Sequence, residues 1–302
     1  MKKEIRATRN FFLRLGICVS LCALTAFSAS AVSRGQSAED RCLFNQPQVF
    51  GSWSSEGLAK AISHIDCVWS ERPVLLIGET HGTDETLALV TSLLEQQPIT
   101  SKIAVGLEVP SSEDARISEF LKSSPTKEAT DRLLNSDFWS YKDGRASQAL
   151  LRFLTKISAL NENGHDIEVF GIEDVQSGRR SKNPIANKEL GMSAILKKRA
   201  GLGQKLIAVG GNFHIRIESP PSANSTTVPN QLRSFSPYVL LPTSSYGEAW
   251  TCLSMSDCAV HQRPQGAKSS SDDAVIKPEE ENGIYAEILE LPVLTASPPA
   301  KK

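Results

Sequence analysis

Residues 74–85 read Val74-Leu75-Leu76-Ile77-Gly78-Glu79-Thr80-His81-Gly82-Thr83-Asp84-Glu85, and this stretch carries the strongest prediction of the fold. Four apolar residues between a proline and a glycine predict a strand that is covered on both faces. Thr83 and the two acids after it predict the cap and first turn of a helix. This order is typical of an open α/β sheet, in which ligands bind beyond the carboxyl ends of the strands.

The rest of the chain repeats this alternation of strand-like and helix-like segments. The predicted strands are residues 74–79, 102–108, 166–173, 205–214, 238–241 and 286–291. The predicted helices are residues 84–96, 112–121, 126–134, 145–161 and 187–198. The alternation predicts an α/β fold with a mainly parallel central sheet and helices on both faces, a three-layer, Rossmann-like arrangement.

We expect a single domain over residues 32–294, with its core at residues 73–214. A mostly polar segment at about residues 250–283 has little periodicity, and it predicts a loop-rich excursion that is either pinned by a disulfide or partly disordered. We expect residues 295–302, at the end of the chain, to form a disordered tail.

The first 31 residues predict an export signal. Basic residues precede an apolar stretch that ends in Ala29-Ser30-Ala31, which is the order of a secretory leader and its cleavage site. We expect cleavage after Ala31, no stable membrane anchor afterwards, and a location in the bacterial periplasm or outside the cell. Loss of the leader changes the formal net charge from −1 to about −5, which leaves no basic surface that predicts nucleic-acid binding.

Four cysteines remain after the leader: Cys42, Cys67, Cys252 and Cys258. An even number of cysteines in an exported chain predicts disulfides, and four cysteines permit three pairings. A Cys252–Cys258 bond would close a short loop and leave Cys42 to join Cys67. Free buried thiols are the alternative.

Polar residues follow four of the predicted strands at the same end. They are Glu79, His81, Glu108, Glu173, Asp174, Asn212 and His214. Because the carboxyl ends of neighbouring parallel strands meet at one edge of a sheet, we expect these side chains to form a single site.

Two carboxylates and two imidazoles allow two kinds of chemistry. His81 can act as a general base that Glu79 or Glu108 orients. Alternatively, Glu79, His81 and His214 can hold zinc, manganese or iron with one position left open for water. Both arrangements predict hydrolysis of an ester or amide bond by an activated water, in a small-molecule or peptide substrate.

A second polar and aromatic cluster, Phe138 to Ser147, leads into the fourth predicted helix. Arg145 is expected to hold a substrate carboxylate, a phosphate or a developing oxyanion, and the alternative is a structural pair with Asp143 or Glu108. The remaining candidates for substrate contact are Trp139, Ser147, Asn212, Asp174 and Glu85.

Five motifs, in this order, resemble the superfamily that groups erythromycin esterase-like enzymes, ChaN-like haem-binding proteins and Tiki-type metalloproteases. The motifs are Gly78-Glu79-Thr80-His81-Gly82-Thr83-Asp84-Glu85, Gly106-Leu107-Glu108, Phe138-Trp139 with Asp143-Gly144-Arg145, Lys188-Glu189-Leu190-Gly191-Met192-Ser193, and Gly211-Asn212-Phe213-His214. They span residues 73–214, about half of the mature chain.

The resemblance implies that His81 corresponds to the general base of the esterases, with Glu108 and His214 near it. In the Tiki-type branch, Glu79, His81 and His214 would instead be metal-site residues. The esterases have two residues between the glutamate and the histidine of the first motif, and this chain has only Thr80. The chain is therefore more similar to the ChaN/Tiki branch.

Two other functions remain open at this point. A ChaN-type carrier of haem or iron would need an axial ligand on an apolar face, and Tyr141 and Tyr246 are available for haem. A non-catalytic periplasmic binding module would use the same sheet edge to hold a polar ligand.

Overall fold

Strand β2 (Val74–Glu79) is buried on both faces of the sheet. Leu75 and Ile77 pack into one hydrophobic core, and Val74 and Leu76 pack into a second core. All four side chains are completely buried, so helices must cover both faces.

The computed structural model describes residues 42–43, 46–174, 183–218, 226–254, 256–263, 273–281 and 283–301. The predicted leader lies outside these residues. Within them, two disulfides join Cys42 to Cys67 and Cys252 to Cys258, which confirms the expected pairing. None of the helices in these ranges is long and apolar enough to cross a bilayer.

The remaining described strands extend the sheet on both sides of β2 and add a separate hairpin. They are β1 (Gln48–Ser52), β3 (Lys102–Pro110), β4 (Asp166–Glu173), β5 (Lys205–Gly211), β6 (Tyr238–Thr243), β7 (Glu248–Ser254), β8 (Asp257–Gln262), β9 (Asp273–Glu281) and β10 (Ile284–Glu290). The main sheet has the order β1-β9-β10-β6-β2-β5-β3-β4, and β7 pairs with β8 in the hairpin. Neighbouring strands from β10 to β4 are parallel, whereas β9 and β1 form an antiparallel edge.

The described helices pack on both faces of this sheet. They are α1 (Ser55–Ser70), α2 (Glu85–Glu95), α3 (Asp114–Leu121), α4 (Lys127–Leu134), α5 (Gln148–Glu162), α6 (Pro184–Ala200), α7 (Asn212–Ile215) and α8 (Val228–Gln231). Helices α1, α2 and α5 contribute Ile65, Leu93 and Leu154 to the first core. Helix α6 contributes Met192 and Leu196 to the second. The predicted three-layer α/β class is confirmed.

Two predicted boundaries near the sheet edge differ from the structure. Thr83 does not cap α2, since the helix begins at Glu85 with Asp84 in the N-cap position, and the Thr83 hydroxyl donates to the Thr80 carbonyl at 2.7 Å. Strand β5 ends at Gly211, whose N–H donates to the Glu108 carboxylate at 2.6 Å, and the chain then turns into α7. His214 therefore lies on a helical turn and not in the strand that was predicted.

The C-terminal part of the chain has more regular structure than the sequence predicted. Strand β9 joins the main sheet and buries Ala274 and Ile276 completely, so strands β7, β8 and β9 account for most of the described residues at about 250–283, and residues 264–272 lie outside the described residues. The prediction of a disordered tail is wrong for residues 295–301. The Ser297 N–H donates to the Gly82 carbonyl at 2.7 Å and the Ala300 N–H to the Ala146 carbonyl at 3.0 Å, so backbone hydrogen bonds hold the tail against the loops beside the sheet edge.

Candidate functional site

A cavity of about 690 Å³ opens at the carboxyl edge of the sheet. One wall comes from the carboxyl ends of β2, β3 and β5 and the residues that follow β2 and β5, with further residues from the segment before α5 and from α6. The opposite wall comes from the β7–β8 hairpin and the residue that follows it. The polar residues that line it are Glu79, Thr80, His81, Glu108, Asp143, Arg145, Lys188, Asn212, His214, Thr251, His261, Gln262 and Arg263. The edge that the sequence predicted to be polar therefore borders a cavity large enough for a small organic ligand.

Glu108 is buried at the centre of this group. Its carboxylate accepts hydrogen bonds from the Gly211 N–H at 2.6 Å and from Lys188 Nζ at 2.7 Å. His81 Nε2 lies 3.4 Å from one oxygen, and His214 Nε2 lies 3.9 Å from the other. Both imidazoles thus face the same carboxylate. Of the predicted strand-end residues, those that line this cavity are Glu79, His81, Glu108, Asn212 and His214.

His81 lies between two carboxylates. Its Nδ1 is 3.3 Å from Glu79 Oε1, and its Nε2 faces Glu108. Burial alone would lower the pKa of His81, but the charge of Glu108 and hydrogen bonds to Glu108 and Glu79 raise this pKa to about 10. His81 is therefore an imidazolium at neutral pH. In return, His81 and Lys188 hold the pKa of Glu108 well below its usual range, although burial acts in the opposite direction.

His214 has a different environment. Its Nδ1 lies 3.4 Å from Oε1 of Glu189, whose side chain is completely buried. Burial lowers the pKa of His214, and the positive charge of Lys188 lowers it further against the opposing effect of Glu108. At neutral pH this ring is neutral. Donation from Nδ1–H to Glu189 leaves the Nε2 lone pair directed towards the Glu108 side of the site.

Arg145 is paired within the protein, as the structural alternative predicted. Its guanidinium contacts Asp143 at 2.7 Å and also pairs with Glu173. Burial lowers the pKa of Arg145, but Asp143 and Glu173 raise it more. Glu173 also lies 3.4 Å from Lys188 Nζ. Arg145 therefore holds Glu173, one of the two carboxylates that contact Lys188, and its guanidinium is engaged in structural ion pairs.

Two glycines, Gly82 and Gly211, allow close contacts beside the cavity. Gly82 has a φ of +75°, and a Cβ there would lie 2.0 Å from the carbonyl oxygen of Trp250 in the hairpin. The Trp250 N–H donates to the Gly82 carbonyl at 2.9 Å, which fixes the hairpin to the loop after β2. At Gly211 a Cβ would lie 2.9 Å from His81 Nε2, so a side chain there would displace the ring.

Four of the predicted substrate contacts lie away from this cavity. Trp139 is 1% exposed and packs edge-on against Phe138 in the core, because a large apolar ring gains most from burial. Ser147 caps α5 by accepting from the Leu150 N–H at 3.3 Å. Glu85 accepts from the Thr295 N–H of the tail at 2.8 Å, and Asp174 lines a neighbouring cavity. Only Asn212 of this group lines the site.

Several residues of the site were not predicted. Lys188 and Glu189 belong to a motif of the family resemblance, but their contacts with Glu108 and His214 depend on how α6 packs on the sheet. Arg263 and His261 come from the far end of the chain, and Phe213 belongs to a motif of the family resemblance without a predicted role. A basic and an acidic residue at the start of a helix are too common to have indicated this site from sequence alone.

A metal site does not fit the donor groups. A metal ligand must offer a free lone pair, whereas both nitrogens of His81 face carboxylates and Glu108 already accepts from an ammonium and an amide. Among the described residues, no group of three or more His, Cys, Asp and Glu side chains has an arrangement that could hold a metal ion. We therefore derive no step through a metal at Glu79, His81 and His214.

The structure does not place a tyrosine at the cavity for haem. Tyr141 lines the neighbouring cavity with Asp174. Tyr246 is not among the residues that line the cavity at the sheet edge. Neither Tyr141 nor Tyr246 therefore lines the cavity, and the two imidazoles at its centre both face carboxylates.

The protonation of His81 can be measured directly. We expect the ring protons of His81 to titrate near pH 10 in an NMR experiment, and we expect the pKa to fall towards its ordinary value in Glu108→Gln. Because the folded-state pKa is raised, the stability contributed by His81 is complete below about pH 6.5 and is lost as the pH rises through about 10. The difference in urea-unfolding free energy between wild type and His81→Gln isolates this contribution. Titration near pH 6.5 in the wild type would contradict the assignment.

Comparison with known proteins finds similarity in structure and none in sequence. No protein-family model and no curated protein matches the chain. A mutant of the erythromycin esterase EreC in its open conformation matches 78% of this chain and 94% of its own, with 11% identity and a TM-score of 0.56. A protein from Bacillus cereus matches 84% of this chain and 96% of its own, with 10% identity and a TM-score of 0.53.

A third solved structure, that of the type III effector HopBA1, has 15% identity and a TM-score of 0.46 over 76% of this chain and 92% of its own. That score is too low to carry an argument. At the identities of the first two matches, the likeness concerns the fold alone. The chain thus shares its α/β fold with an erythromycin esterase, and its chemistry has to be argued from its own residues.

Proposed function

We propose that this protein is an exported hydrolase that cleaves an ester or amide bond with a water molecule activated at the carboxyl edge of the sheet. One observation carries the proposal: two imidazoles flank the buried Glu108 and are held in opposite protonation states. His81 has a pKa raised to about 10, whereas the pKa of His214 is lowered. Titratable groups whose environments separate their pKa values are typical of an acid and base pair.

His214 is the general base in this proposal, in place of the His81 that the sequence suggested. An imidazolium has no lone pair to accept a proton, so His81 cannot be the base at neutral pH. Neutral His214 is oriented by Glu189 and presents Nε2 at 3.9 Å from Glu108. A water bound between these acceptors transfers a proton to Nε2 while its oxygen attacks the carbonyl carbon of the substrate.

Positive charge stabilises the intermediate of this reaction. Attack converts the carbonyl oxygen into an oxyanion, which the Lys188 ammonium and the His81 imidazolium stabilise. Both cations are held in place before the substrate binds, Lys188 by Glu108 and Glu173, and His81 by Glu79 and Glu108. Protonated His214 then returns its proton to the departing alcohol or amine, which completes the hydrolysis.

Export is supported by the disulfides. Both bonds are of a kind that persists in oxidising compartments such as the periplasm and the cell exterior. The order of charged, apolar and small residues before position 32 is that of a secretory leader. We propose the periplasm or the cell exterior as the location, and a small molecule or a peptide as the substrate.

A hydrolysis panel tests the proposal. We expect the purified protein to cleave some members of a set of p-nitrophenyl esters and p-nitroanilides, and to keep this activity after treatment with a chelator. The blank is the double variant His81→Ala and His214→Ala, and the matched control is His165→Ala, which changes a histidine in a different cavity. Turnover no faster than the blank across the panel would overturn the proposal. A Soret band without turnover would instead favour a haem carrier.

A further inference from the structure

Arg263 differs from the other cations of the cavity. Lys188, Arg145 and His81 all face carboxylates. The Arg263 guanidinium donates from Nη1 to the Thr80 hydroxyl at 2.9 Å, and among the residues that the structure describes no carboxylate forms an ion pair with it. A guanidinium carries five N–H donors, so most of its hydrogen-bonding capacity is left for a ligand.

The position of Arg263 places this charge beside the proposed reaction centre. Thr80 separates Glu79 from His81 in the sequence, and its hydroxyl also lies 3.4 Å from the amide nitrogen of Asn212. Arg263 lines the same cavity as these residues. An anionic group bound by Arg263 would therefore belong to the molecule whose bond is cleaved.

Two apolar side chains line the same cavity. Phe213 is 40% exposed and Leu253 is 69% exposed, so both present apolar surface to the cavity. The Arg216 guanidinium lies 4.3 Å above the Phe213 ring, and the His214 ring packs edge-on against it, so Phe213 is held in one orientation. Phe213 lies on α7 and Leu253 on the hairpin, so together they offer an apolar surface on two walls.

We propose that the cavity binds amphiphilic anions, in which a carboxylate or phosphate pairs with Arg263 and an apolar chain lies against Phe213 and Leu253. The planar guanidinium suits either anion because it can donate two parallel hydrogen bonds. This inference deepens the proposed hydrolase, because it names the class of ester or amide that the enzyme prefers.

Matched substrates test the preference for an anion. The probes are p-nitrophenyl hexanoate, the mono-p-nitrophenyl ester of adipic acid, in which a carboxylate replaces the terminal methyl group of the six-carbon chain, and the analogue that ends in a phosphonate. We expect wild type to have the higher kcat/KM for the anionic esters, and the carboxylate and phosphonate probes show which anion it prefers. In Arg263→Gln, whose amide can still donate to Thr80, the ratio of anionic to neutral kcat/KM should fall about 10- to 100-fold.

Two further variants distinguish charge from structure. Arg263→Lys keeps the charge without the planar fork and should give an intermediate ratio. Arg233→Gln changes an exposed arginine outside the cavity, which also donates to a side-chain oxygen, and it should leave the ratio at the wild-type value. An equal ratio in wild type and Arg263→Gln, or a wild-type preference for the neutral ester, would overturn the inference.

Binding measurements separate this inference from the proposed function. Adipate binding to the full protein is followed by calorimetry, in wild type and in Arg263→Gln. Adipate binding that weakens about 10- to 100-fold in the variant, in a protein that hydrolyses no ester, would support the anion site and reject the hydrolase. Ester hydrolysis without any preference for anions and without adipate binding would reject the anion site and keep the hydrolase.

Discussion

Replacement of Glu108 with alanine is expected to lower the free energy of unfolding by about 3–5 kcal/mol, as is typical when one partner of a buried ion pair is removed. Glu108 is 7% exposed and faces Lys188, His81 and the Gly211 N–H. Its loss leaves two cations and an amide in a partly buried site with fewer partners. Urea denaturation at pH 7 measures the difference.

Controls for this prediction come from a surface pair and from a second substitution. Glu56→Ala removes a carboxylate that pairs with Lys60 at 2.8 Å on an exposed face of α1, and it should lower the free energy of unfolding far less than Glu108→Ala does. Adding Lys188→Met to Glu108→Ala removes one of the cations left without its partner and should recover part of the lost stability. A loss below about 1 kcal/mol in Glu108→Ala would show that the ion cluster does not stabilise the fold in this way.

Replacement of His214 with glutamine is expected to lower kcat/KM by about 10²- to 10⁴-fold, the usual contribution of a general base. Glutamine can still donate a hydrogen bond to Glu189 but cannot accept a proton from water. The variant should therefore fold as the wild type does while it loses turnover. Circular dichroism and urea denaturation verify the folding, and initial rates on the best ester of the panel measure the loss.

The pH dependence of the same reaction gives an independent check on His214. The base is active when it is neutral, so the rate should rise with pH through a value below the ordinary pKa of histidine. At high pH the rate should fall near pH 10, where His81 loses its charge. His214→Gln should remove the acid limb of the profile, and His81→Gln should remove the alkaline limb. An unchanged acid limb in His214→Gln would assign the base to another group.

The ion network at the sheet edge is a poorer source of stability than apolar packing. Glu108, Glu79, Asp143 and Glu173 are each compensated by at least one cation or imidazole. Buried charges of this kind add little net stability, because desolvation offsets most of their attraction. Their arrangement is therefore better accounted for by chemistry at the cavity than by folding.

Much of the fold follows from local sequence. Strands β2 and β4 begin and end where they were predicted, because runs rich in apolar residues with turn signals at their ends have few other ways to be buried. Strand β9 was not predicted, since Ala274 and Ile276 are the completely buried side chains of its described residues and its outer partner β1 lies near the other end of the chain. The tail escaped prediction for a related reason, because its partners are backbone groups of other loops.

Part of the candidate site could likewise be predicted from the sequence, and part of it depends on the tertiary structure. Glu79, Glu108 and His214 could be predicted as neighbours, because parallel strands bring their carboxyl ends to one edge whatever the helices do. Arg263 could not, since it lies 183 positions along the chain from Thr80. Sequence alone determines a parallel sheet with charged side chains at one edge. Which imidazole keeps its proton, and which cation is left for a ligand, is decided by contacts between distant parts of the chain. The reason is that a pKa responds to charges within a few ångströms, whatever their separation in sequence.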